Sequence, residues 1–238
     1  MKIYLIPIWL EEGNKESLSQ EIPMIIGQTK YFLVENLRTA RRFISALKLG
    51  VVIDDLIFFQ LDKKTTKTEL ENYFKQIPKN DKNNEPTKVG IMSEAGCPGI
   101  ADPGALAVEY AHKNNIEVVP LVGASSILLA LMASGFNGQN FAFHGYLSID
   151  ATKRKNEIKS LESESQKLRR SQIFMETPYR NNSLLTDILK VLNPKTKICV
   201  ASNITSENQF IKTKTVAEWK KEIPDLHKIP TIFVLYAV

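Results

Sequence analysis

The stretch Ser93-Glu94-Ala95-Gly96-Cys97-Pro98-Gly99-Ile100-Ala101-Asp102-Pro103-Gly104 sets three glycines and two prolines within nine residues, at the end of a strand-like run and before a helical one. Such a loop holds one shape while shedding side chains, so its N–H and C=O groups meet a ligand directly. The carboxyl ends of strands in an open parallel sheet are where ligands bind. Asp102 is placed to cap the following helix or to take a ligand hydroxyl or amine. A second stretch, Val119-Pro120-Leu121-Val122-Gly123-Ala124-Ser125-Ser126, again sets small residues after a strand. It offers free N–H groups and two hydroxyls at a helix start, with plain N-capping by Ser125 and Ser126 as the alternative.

Several chemistries lack their residues. No two glycines stand at i and i+2, no Gly-Lys-Ser/Thr occurs, and there is no Gly-x-Ser-x-Gly. Dinucleotide-dependent hydride transfer, nucleotide hydrolysis on a phosphate loop and α/β-hydrolase chemistry are therefore disfavoured. Cys97 and Cys199 lie 102 positions apart and only three histidines accompany them (His112, His144, His227), which fits neither a zinc site nor a disulfide scaffold. Free thiols point to a reducing cytoplasm.

The elements that must position these loops follow from periodicity. Strands are expected at Ile3 to Ile8, Lys30 to Glu35, Leu56 to Leu61, Val89 to Glu94 and Glu117 to Val122, with helices at Leu37 to Leu49, Lys67 to Gln76 and Ala105 to Asn114. This alternation predicts a mostly parallel sheet covered by helices. Pro78 to Lys88 reads as an exposed loop. Ala124 to Ser134 reads as a helix apolar on all sides and buried all round. Beyond it, strands at Ala142 to Leu147, Gln172 to Glu176, Lys197 to Ser202 and Thr231 to Tyr236, and helices at Lys153 to Arg169 and Ser183 to Leu192, make a second α/β domain. The expected domains are 1–122 and 123–238.

The chain has 238 residues, 43% apolar, with a net charge of +5. This is globular composition, with enough chain for a core and only a weak indication of an acidic partner such as RNA. Ile3 to Leu10 precedes acidic residues rather than a cleavage site and reads as a first strand. Val118 to Ile149 lacks charge, but its apolar run Ile127 to Ala133 is too short to cross a bilayer.

The two loops, together with Ala130-Leu131-x-Ala133-Ser134-Gly135, Phe143-His144-Gly145-Tyr146-Leu147 and Phe174-Met175-Glu176-Thr177-Pro178-Tyr179-Arg180, resemble the tetrapyrrole (corrin and porphyrin) methylase family. The glycine-rich loop is similar to the Ser-Asp-Ala-Gly-Thr-Pro-Gly-Ile-Ser-Asp-Pro-Gly segment of its ribosomal RNA small subunit methyltransferase I group. The resemblance covers essentially the whole chain. It implies a two-domain α/β homodimer that binds S-adenosylmethionine, folded up, in a cleft between domains. The cofactor contacts it implies fall on Pro7, Glu94, Ala95, Gly96, Asp102, Gly123, Ser125, Ser126, Tyr146, Met175, Glu176, Ala201, Pro230 and Thr231. It also implies RNA, or the small ribosomal subunit, as partner.

That branch methylates a ribose 2′-hydroxyl, whose proton must leave, so a base or polarising group is expected. Glu35 and Arg38 are the catalytic candidates, with Glu176 beside them. Their plainer readings are a helix-start ion pair for Glu35 and Arg38, and an orienting or capping carboxylate for Glu176. Departures from the group lie on the substrate side. Ile6-Pro7-Ile8-Trp9-Leu10-Glu11 replaces Thr-Pro-Ile-Gly-Asn-Leu, which puts Trp9 near the expected mouth of the site. Glu35-Asn36-Leu37-Arg38 replaces Glu-Asp-Thr-Arg, and Ser202-Asn203-Ile204-Thr205-Ser206-Glu207-Asn208 replaces Glu-Leu-Thr-Lys-x-x-Glu. These changes suggest a divergent paralogue. Two alternatives stand beside RNA methylation: a small-molecule methylase with an apolar trough lined by Trp9, Phe58 and Phe59, and a non-catalytic cofactor- or RNA-binding protein. A basic run from Lys153 to Arg170 offers either a phosphate grip or a solvated helix face.

Overall fold

The computed structural model describes residues 1–237, and the chain divides into two compact units, Met1–Ser125 and Ser126–Val238. In the first unit, β1 (Lys2–Leu5), β2 (Tyr31–Val34), β3 (Ile57–Gln60), β4 (Lys88–Met92) and β5 (Glu117–Pro120) form a sheet in the order β3-β2-β4-β1-β5. Every pairing in it is parallel. Side chains alternate across each strand, so Phe32 and Leu33, both fully buried, enter separate apolar clusters on the two faces.

Crossover direction sorts the helices. The chain runs from β1 to β2 to β3 in one direction, then from β3 to β4 to β5 in the other. Right-handed crossovers in opposite directions put their helices on opposite faces. Accordingly α1 (Glu21–Gly27) and α2 (Leu37–Leu47) cover one face through Ile22, Ile26, Phe43 and Ile44. On the other face lie α3 (Lys67–Gln76) and α4 (Gly104–Lys113), through Leu70, Phe74, Ala107 and Ala111. The neighbours β1 and β4 thus send their outgoing chains to opposite faces, which opens a crevice at their carboxyl ends.

In the second unit, β6 (Phe141–Tyr146), β7 (Ser171–Met175), β8 (Lys197–Ser202), β9 (Phe210–Thr215) and β10 (Thr231–Tyr236) lie in the order β6-β7-β10-β8-β9. Only β6 and β7 are parallel. Helices α5 (Ser126–Ser134), α6 (Ala151–Leu168), α7 (Asn181–Val191) and the short α8 (Val216–Trp219) complete it. Trp219 is fully buried and its indole N–H donates to the Ile198 carbonyl at 2.9 Å.

Three expectations change. The strand β9 and the helix α1 were not anticipated: Phe-Ile-Lys-Thr-Lys-Thr is too polar to stand out, and α1 is seven residues long with Pro23 and Gly27 inside it. Helix α5 is not buried all round. Ala130 and Leu131 are buried, in a helix that packs on β8, β9 and β10, whereas Leu128 and Met132 are 49% and 77% exposed. Finally, several strands stop two or three residues early. β1 ends at Leu5 and β4 at Met92, because the chains beyond them leave the sheet to build loops.

The charge run at α6 resolves as a largely solvated helix with one buried anchor. Arg154, 5% exposed, donates through Nε and Nη2 to Asp187 Oδ2 on α7 at 2.9 and 2.5 Å, and through Nη2 to Ser183 Oγ at 3.2 Å. Glu157 accepts from the Ser148 N–H, and Glu162 accepts from the Asn193 N–H. A buried pair is costly to break from one side because the remaining charge is left without its partner. Replacing Arg154 with Ala should therefore cost about 3–5 kcal/mol of stability by denaturant unfolding, less whatever Lys155, whose Nζ is 3.5 Å from Asp187 Oδ1, restores. A paired Arg154→Met, Asp187→Leu variant should lose much less.

Candidate functional site

The carboxyl end of the first sheet is assembled from four chain exits. After β1, Ile6 N–H donates to the Ile91 carbonyl and Ile8 N–H to the Gly96 carbonyl at 3.0 Å, so the first loop is bonded to the glycine-rich loop. After β5, the chain returns so close to Pro7 that a Cβ on Gly123 would lie 2.2 Å from the Pro7 Cβ. Gly96 sits at φ +67°, and a Cβ there would meet both Leu10 and the Ala124 carbonyl. The Cys97 thiol donates to the Ala124 carbonyl at 3.4 Å. Burial raises that thiol's pKa, and the Asp102 charge adds to the effect. Pro7, Gly96 and Gly123 are thereby held together, with the backbone of Ala95 and Ala124 beside them.

Asp102 closes the glycine-rich loop. Its Oδ1 accepts from the Gly99 and Gly104 N–H groups at 2.9 and 2.7 Å, while its Oδ2 is buried with no partner. Ala101 before it adopts φ +63°, a left-handed conformation that costs a non-glycine residue roughly 1–3 kcal/mol and persists only where its surroundings enforce it. Of the two expected roles of Asp102, the structural one is met by Oδ1, which fixes the loop and the start of α4, and Oδ2 is left available for the other.

Glu35 follows β2, and its Oε2 accepts the N–H of Glu94, just beyond β4, at 3.1 Å. Partial burial raises its pKa. The Glu94 N–H and Lys63 pull the pKa down, and the charges of Glu94 and Asp102 push it further up. No ion pair joins it to Arg38 among the described residues, so the helix-start pair does not form; Asn36 caps α2 instead, accepting from the Arg38 and Thr39 N–H groups. Trp9 is not at the mouth of a site. It is 6% exposed and packs edge-on against Phe43 of α2 at 4.7 Å. Phe58 and Phe59, adjacent on β3, point to opposite faces and join different clusters, so the trough expected from Trp9, Phe58 and Phe59 does not exist.

In the second unit, strand register brings the remaining candidates to one end of its sheet. Tyr146 pairs with Met175, Met175 with Ile232, and Ser202 with Thr231. Glu176 follows Met175 and is 4% exposed; its Oε1 accepts from the Thr177 N–H and from Arg180, while its Oε2 is buried without a partner. Thr231 Oγ1 lies 3.2 Å from Ser202 Oγ, and the Pro230 carbonyl accepts the Asn203 N–H. Ala201 is fully buried within β8. Ser125 and Ser126 stand half-buried at the entry to α5. After β3, Asp62-Lys63-Lys64-Thr65 forms a turn in which the Asp62 carboxylate accepts from the Lys64 and Thr65 N–H groups.

The residues fit S-adenosylmethionine on two observations. In the first unit, bare backbone at Ala95, Gly96 and Gly123 leaves room for close approach, and the unpartnered buried Asp102 Oδ2 matches a ligand rich in hydroxyl and amine donors; in the second unit, the unpartnered buried Glu176 Oε2 matches such a donor by itself. Gly123→Ala must push the β5 loop away from Pro7. It should lower stability by about 1–3 kcal/mol by denaturant unfolding, the range for overpacking, and weaken cofactor binding by calorimetry more than an Ala substitution at Gly138, which has open space around it.

The chain is 26% identical over 223 residues to ribosomal RNA small subunit methyltransferase I of Buchnera aphidicola subsp. Acyrthosiphon pisum, a match spanning 92% of this chain and 73% of that protein. It is 34% identical over 144 residues to the Thermotoga maritima protein of the same name (59% of this chain, 62% of that one). With the Synechocystis protein of that name the figures are 35% over 121 residues, 51% of this chain and 42% of the relative. The matched segment is thus less than two thirds of the latter two. In fold, the chain is similar to the methyltransferase CobJ (TM-score 0.63, 14% identity, covering 100% and 94% of the two chains). It is also similar to uroporphyrin-III C-methyl transferase from Thermus thermophilus complexed with S-adenyl homocysteine (TM-score 0.55, 15% identity, 99% and 97%). Residues 13–220 match the tetrapyrrole (corrin/porphyrin) methylases, and this chain belongs to that family of S-adenosylmethionine-dependent methyltransferases.

Proposed function

We propose that this protein transfers a methyl group to a ribose 2′-hydroxyl of RNA, with the small ribosomal subunit as its substrate. The observation that carries the reading is the similarity over 92% of the chain to a ribosomal RNA small subunit methyltransferase I. S-adenosylmethionine, when bound, supplies a methyl group already activated on a sulfonium, so the chain has to position, exclude water and remove a proton. The backbone of Ala95, Gly96 and Gly123 and the free Asp102 oxygen hold the donor. Glu35, half-buried, oriented by the Glu94 N–H and raised in pKa, takes the hydroxyl proton.

The small-molecule reading loses its support with the apolar trough, since Trp9 and Phe59 are committed to the core. The binding-only reading was motivated by the altered first loop. That loop keeps its bonds to the glycine-rich loop, with Trp9 as its anchor, which favours turnover. The uncovered Leu128 and Met132 of α5 support a homodimer. Among the described residues no helix is long and apolar enough to cross a membrane; Cys97 and Cys199, both free thiols, favour the cytoplasm.

Two measurements test this. Radiolabelled methyl should pass from S-adenosylmethionine to small ribosomal subunits from a strain lacking the gene, appearing in a 2′-O-methyl nucleotide and vanishing with Gly96→Trp; cofactor binding with no label in any ribosomal RNA would sink the reading. The rate should rise with pH as Glu35 ionises, through a midpoint above the ordinary glutamate value because burial and the charges of Glu94 and Asp102 outweigh the Glu94 N–H and Lys63. Glu35→Gln should remove that limb and cost about 10²–10⁴ in rate, the usual contribution of a general base.

A further inference from the structure

At the amino end of the first sheet, opposite the glycine-rich loop, the segment from Pro78 to Thr87 borders a cavity of about 390 Å³. The segment is a formed turn. The Asp81 N–H donates to the Glu85 carbonyl at 2.8 Å, the Thr87 N–H donates to the Lys79 carbonyl at 3.1 Å, and Asn80 pairs with Pro86. The Lys2 N–H donates to the Thr87 carbonyl at 2.8 Å, which ties the turn to β1. The chain leading from α1 into β2 supplies most of the remaining wall, through Gln28, Lys30 and Tyr31.

The cavity's charged groups sort by what already holds them. Lys88 donates to the Gln28 side chain. Asp81 Oδ1 accepts from the Asn83 and Glu85 N–H groups at 2.8 and 3.0 Å, which commits that carboxylate to the turn. Lys30, Lys82 and Glu85 are exposed, and among the described residues their side chains make no ion pair or hydrogen bond. Two cations and one carboxylate on a single cavity suit an anion that also carries a hydrogen-bond donor. Thr87, 4% exposed, lines the same cavity, and its Oγ1 is buried with no partner. A buried hydroxyl without a bond costs free energy, so it is one that a bound group would stabilise. Tyr31, Pro78 and Pro86 add apolar surface. A cavity of a few hundred Å³ with apolar walls and a few placed polar groups is the usual make-up of a small-molecule site.

We propose that this cavity is a second small-molecule site, which takes a nucleoside monophosphate whose base carries an exocyclic amine. Lys30 and Lys82 hold the phosphate. Glu85 accepts from the amine, as carboxylates do from cytosine, and the Thr87 hydroxyl bonds the sugar. The apolar surface of Tyr31, Pro78 and Pro86 covers the base. The site lies at the other end of the strands that lead to Glu35 and Glu94, so it is separate from the methyl-transfer residues.

The probe is cytidine 5′-monophosphate, titrated by calorimetry into the full chain saturated with S-adenosylhomocysteine, which keeps the nucleotide out of the cofactor site. Lys30→Ala and Lys82→Ala should each weaken binding about tenfold, the usual effect of a charge-assisted contact, while Lys159→Ala on α6 leaves it unchanged. Thr87→Val should weaken it about threefold with no fall in thermal midpoint, since the hydroxyl it removes has no partner. Uridine 5′-monophosphate presents a carbonyl where cytidine presents its amine. It should bind about tenfold more weakly, and Glu85→Gln should narrow that gap. Three results would overturn the site: no binding of cytidine 5′-monophosphate at millimolar concentration, binding unchanged by both lysine variants, or inorganic phosphate binding as tightly as the nucleotide. Equal binding of the two nucleotides would overturn the contact between Glu85 and the amine, and with it the choice of base.

Discussion

A Cβ on Gly123 would stand 2.2 Å from that of Pro7, and the arrangement of the first unit's site follows from that lack of space. Only glycine lets the chain leaving β5 lie against the chain leaving β1. Once they are in contact, the Ala124 carbonyl reaches both Gly96 and the Cys97 thiol. The first loop in turn donates from Ile8 to Gly96. Three segments distant in sequence are thereby fixed as one surface of mostly bare backbone, and few side chains stand between it and a ligand.

The same economy appears in how carboxylates are used. Asp102 and Glu176 each spend one oxygen on the protein and leave the other buried and unpartnered. A buried acceptor without a donor costs free energy, so each of these oxygens, in its own unit, is one that a bound donor would stabilise. Asp62 and Asp187 are different. All of Asp62's bonds serve its turn, and Asp187 is held by Arg154 on the neighbouring helix. Glu35 lies between these cases: it accepts one backbone N–H and is partly buried, which raises its pKa.

The replacement of Gly-Asn by Trp9-Leu10 changes the first loop without dismantling it. An indole packed on Phe43 anchors the loop through the core of the first unit, and Leu10 closes over Gly96. Bulk that looked like an obstruction at a binding mouth is, in three dimensions, the fastening of that loop.

Periodicity and turn chemistry determined much of this protein in advance. Lys67–Gln76 was legible from its periodicity, and the structure closes it with a capping box of Thr66 and Glu69; Lys197–Ser202 and Thr231–Tyr236 announced themselves as apolar runs of strand length. The glycine-rich loop was likewise visible as a place where backbone meets a ligand, because glycine and proline constrain the chain locally. Tertiary structure alone decided the rest. Whether Trp9 lines a mouth or a core, whether Phe58 and Phe59 share a face, and whether α5 is covered depend on which elements pack around them, and hydropathy is silent on that. The spacing of Glu35 and Arg38 suggested an ion pair, but Asn36 took the helix start and the Glu94 N–H took the carboxylate. That N–H comes from a residue 59 positions away, brought there by the pairing of β2 with β4, and a partner supplied across a sheet leaves no trace in local sequence.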